Sequence, residues 1–414
     1  MKSISIYYST LFMCCLLFAC KPSADEGLTL SADNLVSELQ RTLITAKEGD
    51  HIKLPEGTYD FKRSISLNDT PGIKISGAGK GKTILSFKGQ IEGAEGILIK
   101  NVDNISLEGF TVADSKGDAI KVQDCNNVIM RDLETTWTSG KLATNGAYGL
   151  YPVSSTNVLM EDCEASYAMD AGIYVGQSNN VIVRNNYVHH NVAGLEIENT
   201  KVGEVYGNRA HDNTAGMLIF DMPDLPQANG DKIKFYDNYM ENNNGENFAP
   251  KGMIVSTLPP GTGMNIMAHS NIEIYNNTIK NHKTVGIMIN SWMMTGQSYK
   301  SEEFDPYCTN ISIHGNQFIA NEGKTDLTTD GGKMIAGLFG DKTFDILIDG
   351  IFKPNEPMSY CFKNNGDASF VNLNADKGMT LEDMMKNATY DMSPFDCELP
   401  SFDTSDHSAW LAMK

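Results

Sequence analysis

Apolar residues along most of this chain alternate in short runs broken by polar turns, with no stretch of helical period long enough to compete. Four consecutive blocks align on that pattern: GLYPVSSTNVLMEDCEASYAMDA from Gly149, GIYVGQSNNVIVRNNYVHHNVA from Gly172, GLEIENTKVGEVYGNRAHDNTA from Gly194 and GMLIFDMPDLP from Gly216. Their starts lie 23, 22 and 22 residues apart. Within one block the runs are Ile173/Val175, Val181/Val183 and Val188, three strands with no room for a helix. The unit recurs upstream from Gly96 and Ile120, and downstream at GMIVS from Gly252, GIMIN from Gly286 and AGLFG from Ala336. A leucine-rich repeat shares the period but needs an LxxLxL frame that is missing. Stacking each strand on its counterpart predicts an all-β, single-chain parallel β-helix, a solenoid of three sheets around a narrow core.

A second register supports the stack. Asn186, Asn208, Asn238, Asn277 and Asn316 share one repeat position, and Asn191, Asn213, Asn243 and Asn321 the position five later. Amides spaced about 4.8 Å apart can pass hydrogen bonds from coil to coil. Upstream, Phe110, Leu133 and Cys163 take the first of these positions, so Cys163 is expected in the core. An open solenoid end needs covering, and NLVSELQRTLITAKEG, with Leu35, Leu39, Leu43 and Ile44 at helical spacing, predicts an N-terminal capping helix. The expected organisation is a signal peptide at 1–19, a lipid-anchored tether at 20–31, the capping helix at 32–49, the β-helix at 50–375 and a C-terminal cap or tail at 376–414.

Charge and cysteines narrow the setting. The N-terminus reads as an export signal: Lys2, an apolar run from Ile4 to Phe18, then LFAC ending at Cys20, the expected lipidation site. That run is too short to span a bilayer, so the membrane is reached through the lipid anchor alone. By convention Lys21, standing where an aspartate would signal retention at the inner membrane, favours the outer membrane of the cell envelope. Five cysteines remain after Cys20, an odd number, with Cys308, Cys361 and Cys397 in the least regular region, where a bridge is most useful. No CxxC motif and no c-type haem motif occurs. A formal charge of −19 repels polyanions and argues against nucleic acid. GAGKGK at Gly77–Lys82 lacks the frame of a phosphate-binding loop.

The cap segment followed by LPEGTYDF and GIKISGAGKGKTIL resembles the first coil of secreted right-handed β-helix proteins, polysaccharide lyases and epimerases among them. DAGIYVGQS, NVAGLEIENT, NTAGMLIFDMPDLP and STLPPGTG resemble more closely a family of exported right-handed parallel β-helix repeat lipoproteins, over nearly the whole mature chain. That family has no activity to carry over. The resemblance implies a right-handed solenoid and, because members are often encoded beside an exported dihaem c-type cytochrome-like protein, a redox partner.

Candidate chemistry follows from the faces. After each repeat glycine Leu150, Ile173, Leu195 and Met217 point in, while Tyr151, Tyr174, Glu196 and Leu218 point out, followed outward by Val153, Gly176, Glu198 and Phe220. Glu196, Glu198, Tyr174 and Asp221 are therefore the candidate catalytic residues, with Tyr151, Tyr174 and Phe220 to stack a sugar ring and insertions after Phe220 and Val255 as walls. The expected function is to bind or process a carbohydrate polymer on this face, with lyase-like or epimerase-like chemistry if it is catalytic, Lys121 or Tyr174 then being the base. Lys121 lies three coils from Glu196, about 14 Å, too far for one concerted site. Glu196, Glu198 and Asp221 supply part of a calcium set. The bland alternative is a solvated acidic face, since two such charges about 6.6 Å apart repel by only about 0.6 kcal/mol in water.

His189 and His211 occupy equivalent positions and are expected to stack, and Met264, Met267, His269, Met293 and Met294 offer soft ligands in insertions. Copper, behind calcium as a cofactor, suits a second function, an accessory protein that docks the cytochrome or handles copper. A structural surface adhesin is the third. A cleft with a basic group near Glu196 would favour the first function and converging Met and His ligands the second; insertions that leave no cleft would favour the third.

Overall fold

The computed structural model describes residues 27–404 and 410–411. The signal peptide, the lipidation of Cys20 and the first part of the tether lie outside those residues. The end of the tether is already structure: Leu28–Thr29 pairs parallel with His51–Lys53 of the first coil.

Each regular coil has three strands. Ala171–Gly176, Asn179–Arg184 and Tyr187–His189 make one, and Ala193–Glu198, Lys201–Tyr206 and Arg209–His211 lie on it in register. One face forms an eleven-stranded parallel sheet. The other two faces merge into a twenty-stranded ladder, because Asp103–Ala113 and Asn126–Thr136 each run unbroken around the corner. The solenoid is right-handed, as the resemblance implied. Its core is a set of stacked ladders, such as Leu150, Ile173, Leu195, Met217, Met264, Ile287 and Ile346, each fully buried. Many corners turn at Asn or Asp in the left-handed region, for example Asp162, Asn185 and Asn199, residues that tolerate it through local side-chain hydrogen bonds.

Both asparagine ladders form. In the first, each Nδ2 donates to the next Oδ1 at 2.9–3.0 Å from Asn186 to Asn316, and the ladder continues to Asn365. In the second, His282 fills the gap before Asn321: Asn243 Nδ2 lies 3.1 Å from His282 Nε2.

The repeat glycine has a steric cause. A Cβ on Gly216 would stand 2.4 Å from the carbonyl oxygen of Gly263 one coil on, and on Gly263 2.4 Å from that of Gly286. Backbones there are too close for any side chain. Gly216→Ala should lower stability by about 3 kcal/mol in urea unfolding, whereas Gly337→Ala, in the open on a helix, should be neutral or mildly stabilising. Equal effects from the two substitutions would count against close approach as the reason for the repeat.

That register corrects two of the expected units. GMIVS from Gly252 belongs to an insertion, with a short 3-10 helix at Ile254–Thr257, and the coil strand is Thr262–Met267. AGLFG from Ala336 lies in the α-helix Asp330–Phe339, N-capped by Thr329, and the coil resumes at Phe344–Ile348. Five-residue apolar runs fit a helical turn as well as a strand, and only in-register stacking separates them.

The ends are closed differently. The helix Leu35–Thr45 buries Leu35, Leu39 and Leu43, but Ile44 points to solvent. Its Gln40 accepts from the Ser66 amide at 2.9 Å and donates to the Ser66 carbonyl at 3.0 Å, imitating a neighbouring strand on Arg63–Asn68, the last strand of its sheet. At the other end the helix Leu381–Asn387 follows the final strand, Phe370–Asn372. A disulfide joins Cys361 to Cys397, leaving Cys125, Cys163 and Cys308 free and buried. The tail then runs back along the solenoid: Ser401 donates to Glu273, Thr404 to Glu204, and Trp410 packs on Ile129, Leu159 and Ile182. No helix among the described residues is long and apolar enough to cross a membrane.

Candidate functional site

Two outward ladders of the eleven-stranded sheet form the floor of the site. One carries Tyr151, Tyr174, Glu196, Leu218, Asn265 and Met288 in successive coils; the other carries Gly176, Glu198, Phe220, Met267 and Asn290. The insertions rise over them. Met222 comes from the loop after Phe220, Met253–Leu258 from the next insertion, Met294 from the one after, and Asp330, Met334 and Ile335 from the helix. Together they enclose a cavity of about 560 Å³.

Three carboxyl groups lie at one end of this cavity: Asp170, Glu196 and Glu198, which are 5%, 2% and 6% exposed. Burial, which disfavours the charged form, is the first cause of their behaviour, and neighbouring carboxylates add to it: Asp118 for Asp170, Asp170 for Glu196, and Asp221 ahead of Asp170 for Glu198. Asp170 is pushed up to about 7, Glu198 to about 8, and Glu196 well above the usual carboxylate range, with Asp170 as its repelling neighbour. Tyr148 donates to Asp170, and the Tyr174 hydroxyl donates to Glu198. The second bond needs Gly176, since a Cβ there would sit 2.5 Å from the Tyr174 ring. Tyr148, Tyr151 and Tyr174 form one aromatic cluster with ring centroids 4.3–4.9 Å apart.

Of the predicted residues, the structure brings Glu196, Glu198, Tyr174 and Phe220 into the cavity, with Tyr151 behind Tyr174. Asp221 turns away. Its Oδ2 accepts from the Gly230 amide at 2.7 Å, while Oδ1 has no hydrogen-bond partner among the described residues and faces His269 Nε2 at 4.0 Å. Burial raises Asp221 to about 8 and lowers His269 to about 4. Asp221 thus leaves both the catalytic set and the calcium set, and among the described residues no three His, Cys, Asp or Glu side chains are placed to hold a metal.

The soft ligands are likewise redistributed. Met264 is a core residue of a regular strand, His269 is buried beneath the loop, and only Met267 and Met294 of that set reach the cavity. His189 and His211 do stack, with centroids 5.4 Å apart, but His189 bonds to Glu164 and His190, and His211 to Asp212. Met253, which the GMIVS unit would have turned inward as the residue after its glycine, lines the cavity instead. Alternation counted from the repeat glycine misses Asp170 and Tyr148. Tyr148 directly precedes that glycine and Asp170 stands two residues before it; by register Asp118, two coils earlier, matches Tyr148 and Ala171 and not Asp170, so no repeat position marks the acid.

The protein-family match described as right handed beta helix region covers residues 95–230 and 225–337. The pre-neck appendage protein of Bacillus phage phi29 is 25% identical over 278 residues, 58% of this chain and 32% of the phage protein, so this chain spans about a third of that relative's length. The catalytic unit of a thermostable GH87 alpha-1,3-glucanase from Streptomyces thermodiastaticus has a TM-score of 0.51 at 12% identity, with 83% of this chain and 55% of that one covered. The A-module of a mannuronan C-5 epimerase from Azotobacter vinelandii has a TM-score of 0.48 at 14% identity, with 82% and 92% covered. At these identities the structural likeness concerns the fold. With the family match extending over more than half of its residues, the chain belongs to the right-handed β-helix family.

Proposed function

We propose that this chain binds carbohydrate in the cavity on the outer face of its β-helix and cleaves it by carboxyl acid–base chemistry. The observation that carries this is the buried trio Asp170, Glu196 and Glu198 beside the tyrosine cluster on the cavity floor. At neutral pH Glu198 keeps its proton and can give it to a glycosidic oxygen as the bond to the anomeric carbon breaks. Asp170, raised to about 7, is partly ionised there and can take the proton of the water that adds to that carbon. The fold is shared with an α-1,3-glucanase, which supports the substrate class.

Lyase-like or epimerase-like chemistry has less to stand on. Neither base expected for it is free in the cavity: Lys121 lies outside the lining with its Nζ 4.8 Å over the Tyr151 ring, and the Tyr174 hydroxyl is engaged with Glu198. A second reading, copper(I) handling, is favoured by one observation: Met222, Met253, Met267, Met288, Met294 and Met334 line the same cavity. Thioethers also make a plain apolar wall, and no histidine joins them among the lining residues. The presence of a cavity goes against the adhesin expectation that the insertions leave no cleft.

The test is to incubate the chain with neutral and charged oligosaccharides and follow new reducing ends. Glu198→Gln should slow their appearance by about 100-fold or more while leaving ligand bound. An unsaturated sugar product would replace hydrolysis by elimination. Tight copper(I) binding with no glycan binding would move the function to the methionines.

A further inference from the structure

We propose that the sugar held at the carboxyl end of the cavity carries a free amine, so that the ligand is an amino-sugar polymer such as a deacetylated hexosamine chain. This rests on the carbohydrate reading above and specifies its substrate.

The lining residues contain Asp170, Glu196, Glu198 and Asp330 and no Lys, Arg or His. A uronate, the substrate the lyase resemblance would suggest, brings a further carboxylate into that group with nothing to compensate it. Glu196 makes the stronger point. It is 98% buried, lines the cavity and has no hydrogen bond among the described residues, its nearest charge being Asp170. With no protein donor on them, its carboxyl oxygens are open to the cavity, where the N–H groups of a ligand can meet them.

A third observation is independent of the acids. The tyrosine cluster already receives one cation: the Lys121 ammonium lies 4.8 Å above the Tyr151 ring, on the side of the cluster away from the cavity. Tyr148 and Tyr174 line the cavity on the other side and offer an ammonium the same attraction. The apolar wall of Leu218, Phe220 and methionines suits the C–H face of the ring that carries the amine. An arriving ammonium would pair with a carboxylate, so a carboxyl that is protonated in the empty cavity gives its proton to solvent on binding; the raised Glu198 and Asp170 are consistent with this.

The experiment is calorimetric titration of the chain at pH 6.5 with oligomers of glucosamine and galactosamine, their N-acetylated counterparts, a galacturonate oligomer and cyclohexylammonium, each in two buffers of different ionisation enthalpy. One amino-sugar oligomer should bind about tenfold or more tightly than its N-acetylated form, with net release of protons, and Glu196→Gln should erase that preference. N-acetylated or uronate oligomers binding as tightly, or no proton release in the unaltered chain, would overturn the amine while leaving the carbohydrate reading intact. Cyclohexylammonium binding as well as the amino sugars would instead overturn the carbohydrate reading, and silence from all of them would overturn both.

Discussion

Raising the pH from 5 to 8 should lower the melting temperature of this β-helix, against the usual plateau of folded proteins over that range. Six carboxyls raised by burial act in this sense: Asp118 and Asp349 at about 6, Asp170 at about 7, Glu198 and Asp221 at about 8, and Glu196 well above its ordinary value. Each folded value lies above the unfolded one, so between roughly pH 4 and 8 the unfolded chain has released protons that the folded chain still holds. Stability from these groups is complete below the unfolded values and is lost as the pH climbs through the folded ones. At about 1.4 kcal/mol per unit the loss is several kcal/mol, shared among coupled groups. Glu161 acts in the opposite sense at lower pH: despite burial, hydrogen bonds from Arg184 and Arg131 hold it below the ordinary range, so its contribution fades on acidification. His269 and His282, which burial lowers to about 4, also oppose the carboxyls between about pH 4 and 6.5, so the fall with rising pH is blunted there and is read without that opposition above about pH 6.5. Differential scanning calorimetry across pH, with Glu196→Gln/Glu198→Gln beside the unaltered chain, is the check. The double variant should flatten the slope, and a melting temperature constant or rising from pH 5 to 8 would contradict the burial of these acids.

Asn238→Ala should be among the most damaging single substitutions in the solenoid, at about 3–5 kcal/mol. Asn238 Oδ1 accepts from both the backbone and the side-chain nitrogen of Asn208 at 3.0 Å, while its Nδ2 donates to the Val205 carbonyl at 2.9 Å and to Asn277 at 3.0 Å. Alanine removes four bonds at once. It strands the Asn208 amide and the Val205 carbonyl in a region only 1–2% exposed, where water cannot replace them. The cost is one of desolvation more than of lost volume, so Asn238→Leu should not rescue it. Urea unfolding followed by circular dichroism measures it; a loss below about 1 kcal/mol would mean that the ladder is ornament to a solenoid held by its apolar core.

The site shows where pattern stops being informative. Glu196 and Glu198 were legible as an outward pair because strand alternation fixes the face of every second residue. Whether that face was wet or buried was not, since its roof comes from insertions without repeat partners. In water the pair would be an ordinary acidic surface; under the roof burial raises both carboxyls above their ordinary range. Asp221, next in line along the adjoining strand, is turned away by the Gly230 amide, and no spacing rule contains that bond.

What the sequence by itself determined is the stack: the coil length, the glycine register, both asparagine ladders and the inward and outward faces. These rest on contacts between residues one repeat apart, so periodicity records them directly. Tertiary structure alone decided that Gly252 and Ala336 begin no coil, that Cys397 reaches Cys361 and not Cys308, that the tail folds back to Glu204, and that Asp170 joins the glutamates under a lid of methionines. Each of these depends on segments that meet once, outside the repeat, where the outcome is set by which surfaces remain to be covered after the solenoid has formed.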